Sequence, residues 1–128
     1  MLHHLDVHVR DLGEAIRFFD VLAEHVGYRR LPVDPNEPDH AGYETADGGR
    51  PRIGFLSDSA TVAGSTRIAF SVATPARVDA ASAAARAAGA RAIEGPGFHP
   101  EYGPRFYAVF FEDVDGNRYE IVAGDLLD

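Results

Sequence analysis

Histidine and carboxylate side chains open the chain at spacings that could hold a metal ion or move a proton. His4, Asp6 and His8 alternate with apolar residues over 4–9, which predicts a strand with one polar and one apolar face. At ~3.3 Å of rise per residue, His4 and His8 lie ~13 Å apart, too far to share one ion. A carboxylate beside His8 favours the protonated ring, so we predict His8 as a catalytic general base and Asp6 as a substrate-binding residue. The alternative is a polar strand face that meets only water.

Composition narrows the chemistry and the partners. The 128 residues contain no cysteine, which excludes disulfides, thiolate metal sites and a cysteine nucleophile. Any metal must therefore be held by His, Asp or Glu. The formal net charge of -8 argues against nucleic acid and anionic membranes as partners. No apolar run reaches the ~20 residues of a membrane span, and the first residues lack a secretory signal, so we expect a cytoplasmic protein.

Hydrophobic spacing, capping residues and turn residues predict eight strands and two helices. Asp11 caps a helix that Gly27 ends, and Thr74 with Pro75 opens a second helix that ends near Gly89. Asp113-Val114-Asp115-Gly116-Asn117 predicts a hairpin turn rather than a calcium loop. The predicted strands are 4–9, 28–33, 42–45, 52–56, 67–72, 91–94, 106–111 and 118–122, with a polar linker over 57–65.

The two halves of the chain repeat one pattern. The segment that starts at His4 aligns with the segment that starts at Arg67, and Leu12 aligns with Pro75 at the same offset. We predict an α+β fold of two tandem βαβββ modules, about 1–58 and 66–123, within one domain, 1–128. The modules would form an open, cup-shaped mixed β-barrel with the helices outside and the polar strand faces inside. A ferredoxin-like sandwich, the main rival, has fewer strands.

Two segments carry a resemblance to a known family. Leu2-His3-His4-Leu5-Asp6-Val7-His8-Val9-Arg10-Asp11-Leu12 resembles the opening strand and helix start of the vicinal oxygen chelate superfamily. This superfamily includes glyoxalase I, bleomycin resistance proteins, extradiol dioxygenases and fosfomycin resistance enzymes. The segment 100–122, with Arg118-Tyr119-Glu120-Ile121-Val122 at its end, resembles the family's closing hairpin. The resemblance covers nearly the whole chain and implies the same paired βαβββ modules.

The resemblance implies one divalent metal ion, such as Zn, Fe, Mn, Ni or Co, held in the cup. His4 and Glu120 match the first and third ligand positions, whereas Arg67 stands where the family often has a second His. A guanidinium has no lone pair to donate and stays protonated. A shifted site, made of Asp6 and Glu120 with either His4 or His8, is one alternative. A site with no metal, in which Arg67 and Glu120 form a charge-assisted pair, is the other.

The remaining site predictions concern the second half. Arg67 would anchor an anion, Glu120 would act in catalysis, and Arg118 would line the cup beside them. The family pattern turns Phe110 toward the cavity as an aromatic wall, and Tyr102 would place a hydroxyl at the mouth. For both aromatic residues the alternative is core packing. His40 and His99 fall in predicted loops that could rim the cup, and His3 should point away from His4.

These residues support two functions of different classes. The first is a glyoxalase- or dioxygenase-like enzyme, a metal-dependent lyase, isomerase or dioxygenase that acts on a small oxygenated molecule. The second is a metal-free protein that binds a small drug or metabolite, as bleomycin resistance proteins do. His4 and Glu120 favour the first function and Arg67 favours the second. The resemblance also implies a homodimer.

Overall fold

The computed structural model describes residues 2–58 and 66–124, so residues 59–65 of the predicted linker lie outside the described residues. The chain divides into two compact units, Met1–Ala63 and Gly64–Asp128. Each unit contains one helix and one four-stranded mixed sheet, in the order β-α-β-β-β. The predicted α+β fold of two βαβββ modules is therefore confirmed. That the modules form one domain around a common cup stays a prediction.

The first unit is built on a sheet of strand order β1-β4-β3-β2. Strand β1 is parallel to β4, and the other pairs are antiparallel. β2 is shorter than predicted and β3 begins two residues earlier, so that His40 lies in a strand and not in a loop. The elements are β1 (His4–Val9), α1 (Leu12–Ala23), β2 (Tyr28–Arg30), β3 (His40–Thr45) and β4 (Arg52–Ser57).

The second unit repeats this topology with strand order β5-β8-β7-β6, in which β5 is parallel to β8. β6 continues four residues past its predicted end at Glu94, through a segment that the sequence presents as a Pro/Gly-rich loop. Register shifts against β7 accommodate Gly95 and Gly97 within the strand. The elements are β5 (Arg67–Ser71), α2 (Pro75–Ala87), β6 (Arg91–Phe98), β7 (Tyr107–Glu112) and β8 (Arg118–Ala123).

Both helices begin where their capping residues predict. The Asp11 carboxylate accepts a hydrogen bond from the Glu14 amide at 3.0 Å, and the Thr74 hydroxyl accepts one from the Arg77 amide at 3.3 Å. Helix α1 ends at Ala23, three residues before Val26, and a short turn then leads to Gly27. Neither helix, in the part of the chain that is described, has the length and apolar character to cross a bilayer.

Aromatic packing holds α1 against the first sheet. Phe19 meets Tyr43 edge to face, with ring centroids 4.6 Å apart, and lies 5.1 Å from Phe55. All three side chains are almost fully buried. The Tyr43 hydroxyl donates a hydrogen bond of 2.8 Å to Asp20, so this buried polar group has a partner. Burial is therefore concentrated on the helix side of the sheet, and the opposite face keeps the polar residues of β1.

One buried carboxylate organises the hairpin between β7 and β8. Asp113 accepts hydrogen bonds from the amides of Asp115 and Asn117, each at 2.9 Å. Its other oxygen accepts from the Asn117 side-chain amide at 3.0 Å and from the Tyr119 hydroxyl at 3.3 Å. Burial raises the pKa of Asp113, and the hydrogen bonds from Asn117 and Asp115 oppose the rise. The carboxylate is thus satisfied by the turn itself, as the hairpin prediction requires.

Candidate functional site

The second unit has a cavity of about 470 Å³ on one face of its sheet. Strand alternation places the lining residues on the same face, because Ala69 lies in register with Glu120, which in turn lies opposite Phe110. The buried Phe70 and Ile121 alternate with them toward the other face. The cavity is lined by Arg67, Ala69, Ser71, Tyr102, Phe106, Phe110, Glu120, Val122 and Gly124.

Arg67 provides a cation at this cavity. Its guanidinium carbon lies 4.8 Å from the centroid of the Phe110 ring, within the range of a cation–π contact. Within residues 2–58 and 66–124, Arg67 forms no ion pair with Glu120 inside 4.0 Å, so the direct pair that the sequence suggested is not formed. The guanidinium is exposed on its other sides and is accessible to an anion.

Glu120 provides a half-buried carboxyl group on the middle of the cavity floor. Burial raises the pKa of Glu120 above its ordinary value, while the positive charges of Arg67 and His99 oppose that rise. A carboxylate with a raised pKa is a better proton acceptor than an exposed one. The position predicted for a catalytic residue therefore holds a carboxyl group whose raised pKa favours the uptake of a proton.

The loop that follows β6 adds an aromatic cluster at the edge of the cavity. The His99 ring stacks on Tyr102 with centroids 5.8 Å apart and meets Phe110 edge-on at 5.3 Å. His99 Nδ1 lies 3.0 Å from the Glu101 carboxylate, which fixes the ring orientation. The sequence did not decide the position of His99. The sequence feature that could have indicated its role is the composition of the loop from His99 to Phe106, in which aromatic residues are interspersed with prolines and glycines.

The other predicted residues of the second unit lie around the same face. Tyr102 lines the cavity, and its ring lies beside that of Phe106, with centroids 5.2 Å apart. Arg118 lies in register with Arg67 at the start of β8, two residues before Glu120 and on the same strand face. The structure thus brings Arg67, Phe110 and Glu120 together, and the exposed Arg118 extends the positive charge along the sheet.

In the first unit, the polar face of β1 lines a separate cavity of about 300 Å³. His4 Nε2 lies 3.7 Å from Asp6 Oδ2, and both residues line the cavity. His8 lies farther along β1, with Nδ1 3.8 Å from the Asp58 carboxylate. The prediction for His3 was wrong. The His3 Nδ1 atom lies 2.9 Å from His4 Nδ1, and His3 lines the same cavity. His3 precedes β1, so the alternation of side chains along the strand does not apply to it.

The residues of the second unit do not fit the metal ion that the family resemblance implies. At the position where a second His is expected, Arg67 has no lone pair to donate and adds a positive charge beside any dication. Its guanidinium packs on Phe110, at the cavity. No group of three His, Asp or Glu side chains across residues 2–58 and 66–124 has the geometry to hold an ion. His4 and Glu120 belong to different units, and their joint ligation of one ion stays a prediction.

Comparison with known proteins agrees with this fold. The family model described as the Glyoxalase/Bleomycin resistance protein/Dioxygenase superfamily matches residues 1–121. No curated protein matches the sequence.

Solved structures with the same fold cover nearly the whole chain. A glyoxalase/bleomycin resistance protein from Albidiferax ferrireducens is 24% identical, with a TM-score of 0.78 over 97% of this chain and 98% of that one. A putative glyoxalase from Bacillus halodurans is 26% identical, with a TM-score of 0.74 over 97% and 96%. The fosfomycin resistance protein FosX from Listeria monocytogenes, complexed with Mn(II) and a dihydroxypropylphosphonic acid, is 20% identical, with a TM-score of 0.73 over 98% and 91%.

Proposed function

We propose a function from two facts: the chain belongs to the Glyoxalase/Bleomycin resistance protein/Dioxygenase superfamily, and its second unit has an aromatic cavity with an accessible cation. The protein binds a small organic acid, a drug or a metabolite, in this cavity and does so without a metal ion. The proposed function is therefore ligand binding, and not the metal-dependent lyase, isomerase or dioxygenase activity that is the alternative.

One observation carries the proposal, the placement of Arg67 over Phe110. A guanidinium that packs on a ring keeps its N–H groups free at its edge, and these match a carboxylate in a bidentate arrangement. The cation–π contact lowers the entropy that the long side chain would otherwise lose on binding. Arg67 therefore supplies the positive charge that a metal ion would otherwise supply to the oxygen atoms of the acid.

The rest of the cavity selects for a flat, apolar body behind the acid group. Phe106 and Phe110 form a buried cluster with Ala108, against which Val122 packs. Tyr102 and His99 add two more rings at the edge. Aromatic ligands pack on such surfaces in offset or edge-to-face contacts. We therefore expect aromatic or unsaturated acids to bind better than aliphatic acids of the same charge.

Isothermal titration calorimetry with benzoate tests the proposal on the full-length protein. Benzoate binds, and benzyl alcohol, which has the same ring without the charge, binds at least tenfold more weakly, because it loses a charge-assisted contact of about 1.5–3 kcal/mol. Arg67→Ala reduces the benzoate affinity by about tenfold or more, and Arg67→Lys by less. The control is Arg77→Ala, which removes an exposed arginine from α2. The proposal is overturned if the protein binds benzoate and benzyl alcohol equally well, or if the Arg67→Ala variant binds benzoate as tightly as the wild type does.

A second candidate function is proton transfer on the bound acid, and the raised pKa of Glu120 favours it. In this reaction the Glu120 carboxylate takes a proton from the carbon next to a carbonyl, and the electron pair of the broken C–H bond moves onto the carbonyl oxygen near Arg67. Exchange of the pyruvate methyl protons in deuterated water, followed by NMR, tests it. Exchange that the protein accelerates, and that Glu120→Gln abolishes, supports the enzyme. Exchange at the uncatalysed rate would contradict the enzyme function, and ligand binding would remain as the proposed function.

A further inference from the structure

The first unit has its own hollow, and two adjacent glycines form its floor. Asp6 on β1 lies in register with Gly54 on β4, which lies opposite Gly42 on β3. At the corresponding row of the second unit the residues are Ala69, Glu120 and Phe110, so the glycines leave open the space that large side chains fill there. The cavity above this floor has a volume of about 300 Å³.

Two acceptor atoms point into the space above Gly54. A Cβ atom added to Gly54 would lie within 2.6 Å of both Asp6 Oδ1 and His40 Nε2, so these atoms are no more than about 5 Å apart. They form no ion pair within 4.0 Å in the described part of the chain. At a separation of 4 to 5 Å, the two atoms could both ligate one metal ion at ~2.1 Å only from directly opposite sides of it, and a tetrahedral site brings its ligands closer together than this. The separation does suit one nitrogen or oxygen atom that donates a hydrogen bond of ~2.8 Å to each.

The donor that fits must carry at least two hydrogens. Ionised Asp6 only accepts hydrogen bonds. His40 Nδ1 lies 3.8 Å from the Glu37 carboxylate. In the neutral tautomer that carries its proton on Nδ1, the Nε2 atom is a hydrogen-bond acceptor. A hydroxyl group has one hydrogen and can satisfy only one of the two acceptors, whereas an ammonium group has three.

Charge favours the ammonium group further. Asp6 and Glu37 contribute two carboxylates to the lining. Arg52 is the cation among the lining residues, and it lies 3.8 Å from Glu44. We propose that the first unit binds the protonated primary amine of a small molecule between Asp6 Oδ1 and His40 Nε2, above Gly54.

An NMR titration of the isotope-labelled full-length protein with propylammonium tests this site. Propylammonium, added up to about 100 mM at constant ionic strength, produces saturable shifts at Gly54 and at the His40 ring, because a single ionic contact to a fragment supports millimolar affinity. Propanol, which has the same chain and one donor hydrogen, does not. Absence of a saturable shift, or equal shifts with propanol, overturns the proposal.

Three variants assign the binding to the named atoms. Asp6→Asn removes the charge, His40→Ala removes the second acceptor, and Gly54→Ala fills the space without a change of charge; each weakens propylammonium binding by fivefold or more. His25→Ala, whose ring lies beside Glu24, is the control and binds normally. The amide spectrum of each variant reports its folding, and should Gly54→Ala unfold, the other two variants decide. Unchanged affinity in folded Asp6→Asn and His40→Ala contradicts the site.

Discussion

The guanidinium carbon of Arg67 lies 4.8 Å from the centroid of the Phe110 ring, so a cation packs on an aromatic wall at the centre of the second unit's sheet. The two residues lie on β5 and β7, and β8 with Glu120 runs between them. A side chain as long and exposed as arginine would otherwise sample many rotamers. The ring therefore determines where an anion meets the positive charge.

This relationship predicts the effect of removing the ring. Phe110→Leu keeps an apolar side chain but loses the π face, so the benzoate affinity falls about two- to fivefold, which corresponds to about 0.5–1 kcal/mol. Calorimetry measures it. The matched control is Phe70→Leu on β5, a buried residue that alternates with the cavity-lining positions. It lowers stability but leaves affinity unchanged. Equal affinity losses in both variants would mean that general loosening, and not the cation–π contact, weakens binding.

The aromatic cluster around His99 leads to a second prediction. His99→Ala removes the ring that stacks on Tyr102 and meets Phe110, so the benzoate affinity falls a few fold, since each aromatic contact contributes about 0.5–1.5 kcal/mol. Tyr102→Ala has a similar effect. Tyr102→Phe, which keeps the ring and loses the hydroxyl, separates the effect of stacking from that of the hydroxyl that the sequence predicts at the mouth. We expect it to bind as the wild type does; a large loss would assign the role to the hydroxyl.

The raised pKa of Glu120 leads us to predict that the stability of the protein depends on pH. Because its pKa in the folded protein is raised, ionisation of Glu120 costs folding free energy, and that cost develops as the pH rises past the ordinary value of 4.5. Glu120→Gln removes the cost, so the variant melts at a higher temperature than the wild type near pH 7. The difference disappears below pH 4.5, where the carboxyl group is protonated in both states. Melting curves across this range test the sign, and a variant that is less stable at pH 7 would contradict the burial argument.

Asp113 predicts a large effect on folding. Asp113→Ala removes the hydrogen bonds that the Asn117 and Asp115 amides and the buried Tyr119 hydroxyl donate to this carboxylate, which costs about 2–4 kcal/mol of unfolding free energy in chemical denaturation. Asp47 plays a similar part in an exposed turn of the first unit, where its carboxylate accepts from the Gly49 amide and the Thr45 hydroxyl. Asp47→Ala is the control and has a much smaller effect. Equal effects would mean that burial of Asp113 adds nothing.

Much of the fold follows from the sequence, because alternation and capping are local signals. The polar face of β1, the caps Asp11 and Thr74, and the hairpin at Asp113 each depend on residues that are neighbours in the chain. The resemblance implied the paired βαβββ modules, whereas the pairing order of the strands, which no local pattern contains, comes from the structure. β6 was predicted too short, because Gly95 and Gly97 indicate a loop locally and only the register shifts against β7 keep them in the sheet.

The candidate site was predictable only in part. Arg67, Phe110 and Glu120 lie on neighbouring strands with the predicted parity, so alternation places them on one face. His99 lies in the irregular loop after β6, and His40 lies at the start of β3, two residues before the predicted start of that strand. Neither segment has a hydrophobic periodicity from which the direction of its side chains could be predicted. The approach of Asp6 and His40 to the space above Gly54 depends on the register of three strands, and the pattern within each single strand does not specify how the three align.

The central claim is that an organic acid binds at Arg67 without a metal ion, and the most direct test is the benzoate affinity of the full-length protein with its metal supply controlled. Calorimetric titrations are carried out after EDTA treatment and again in the presence of excess Mn(II) or Zn(II). We predict the same dissociation constant in all three conditions, because the guanidinium and not an ion holds the carboxylate. Loss of binding after EDTA treatment, restored by either metal, would contradict the account.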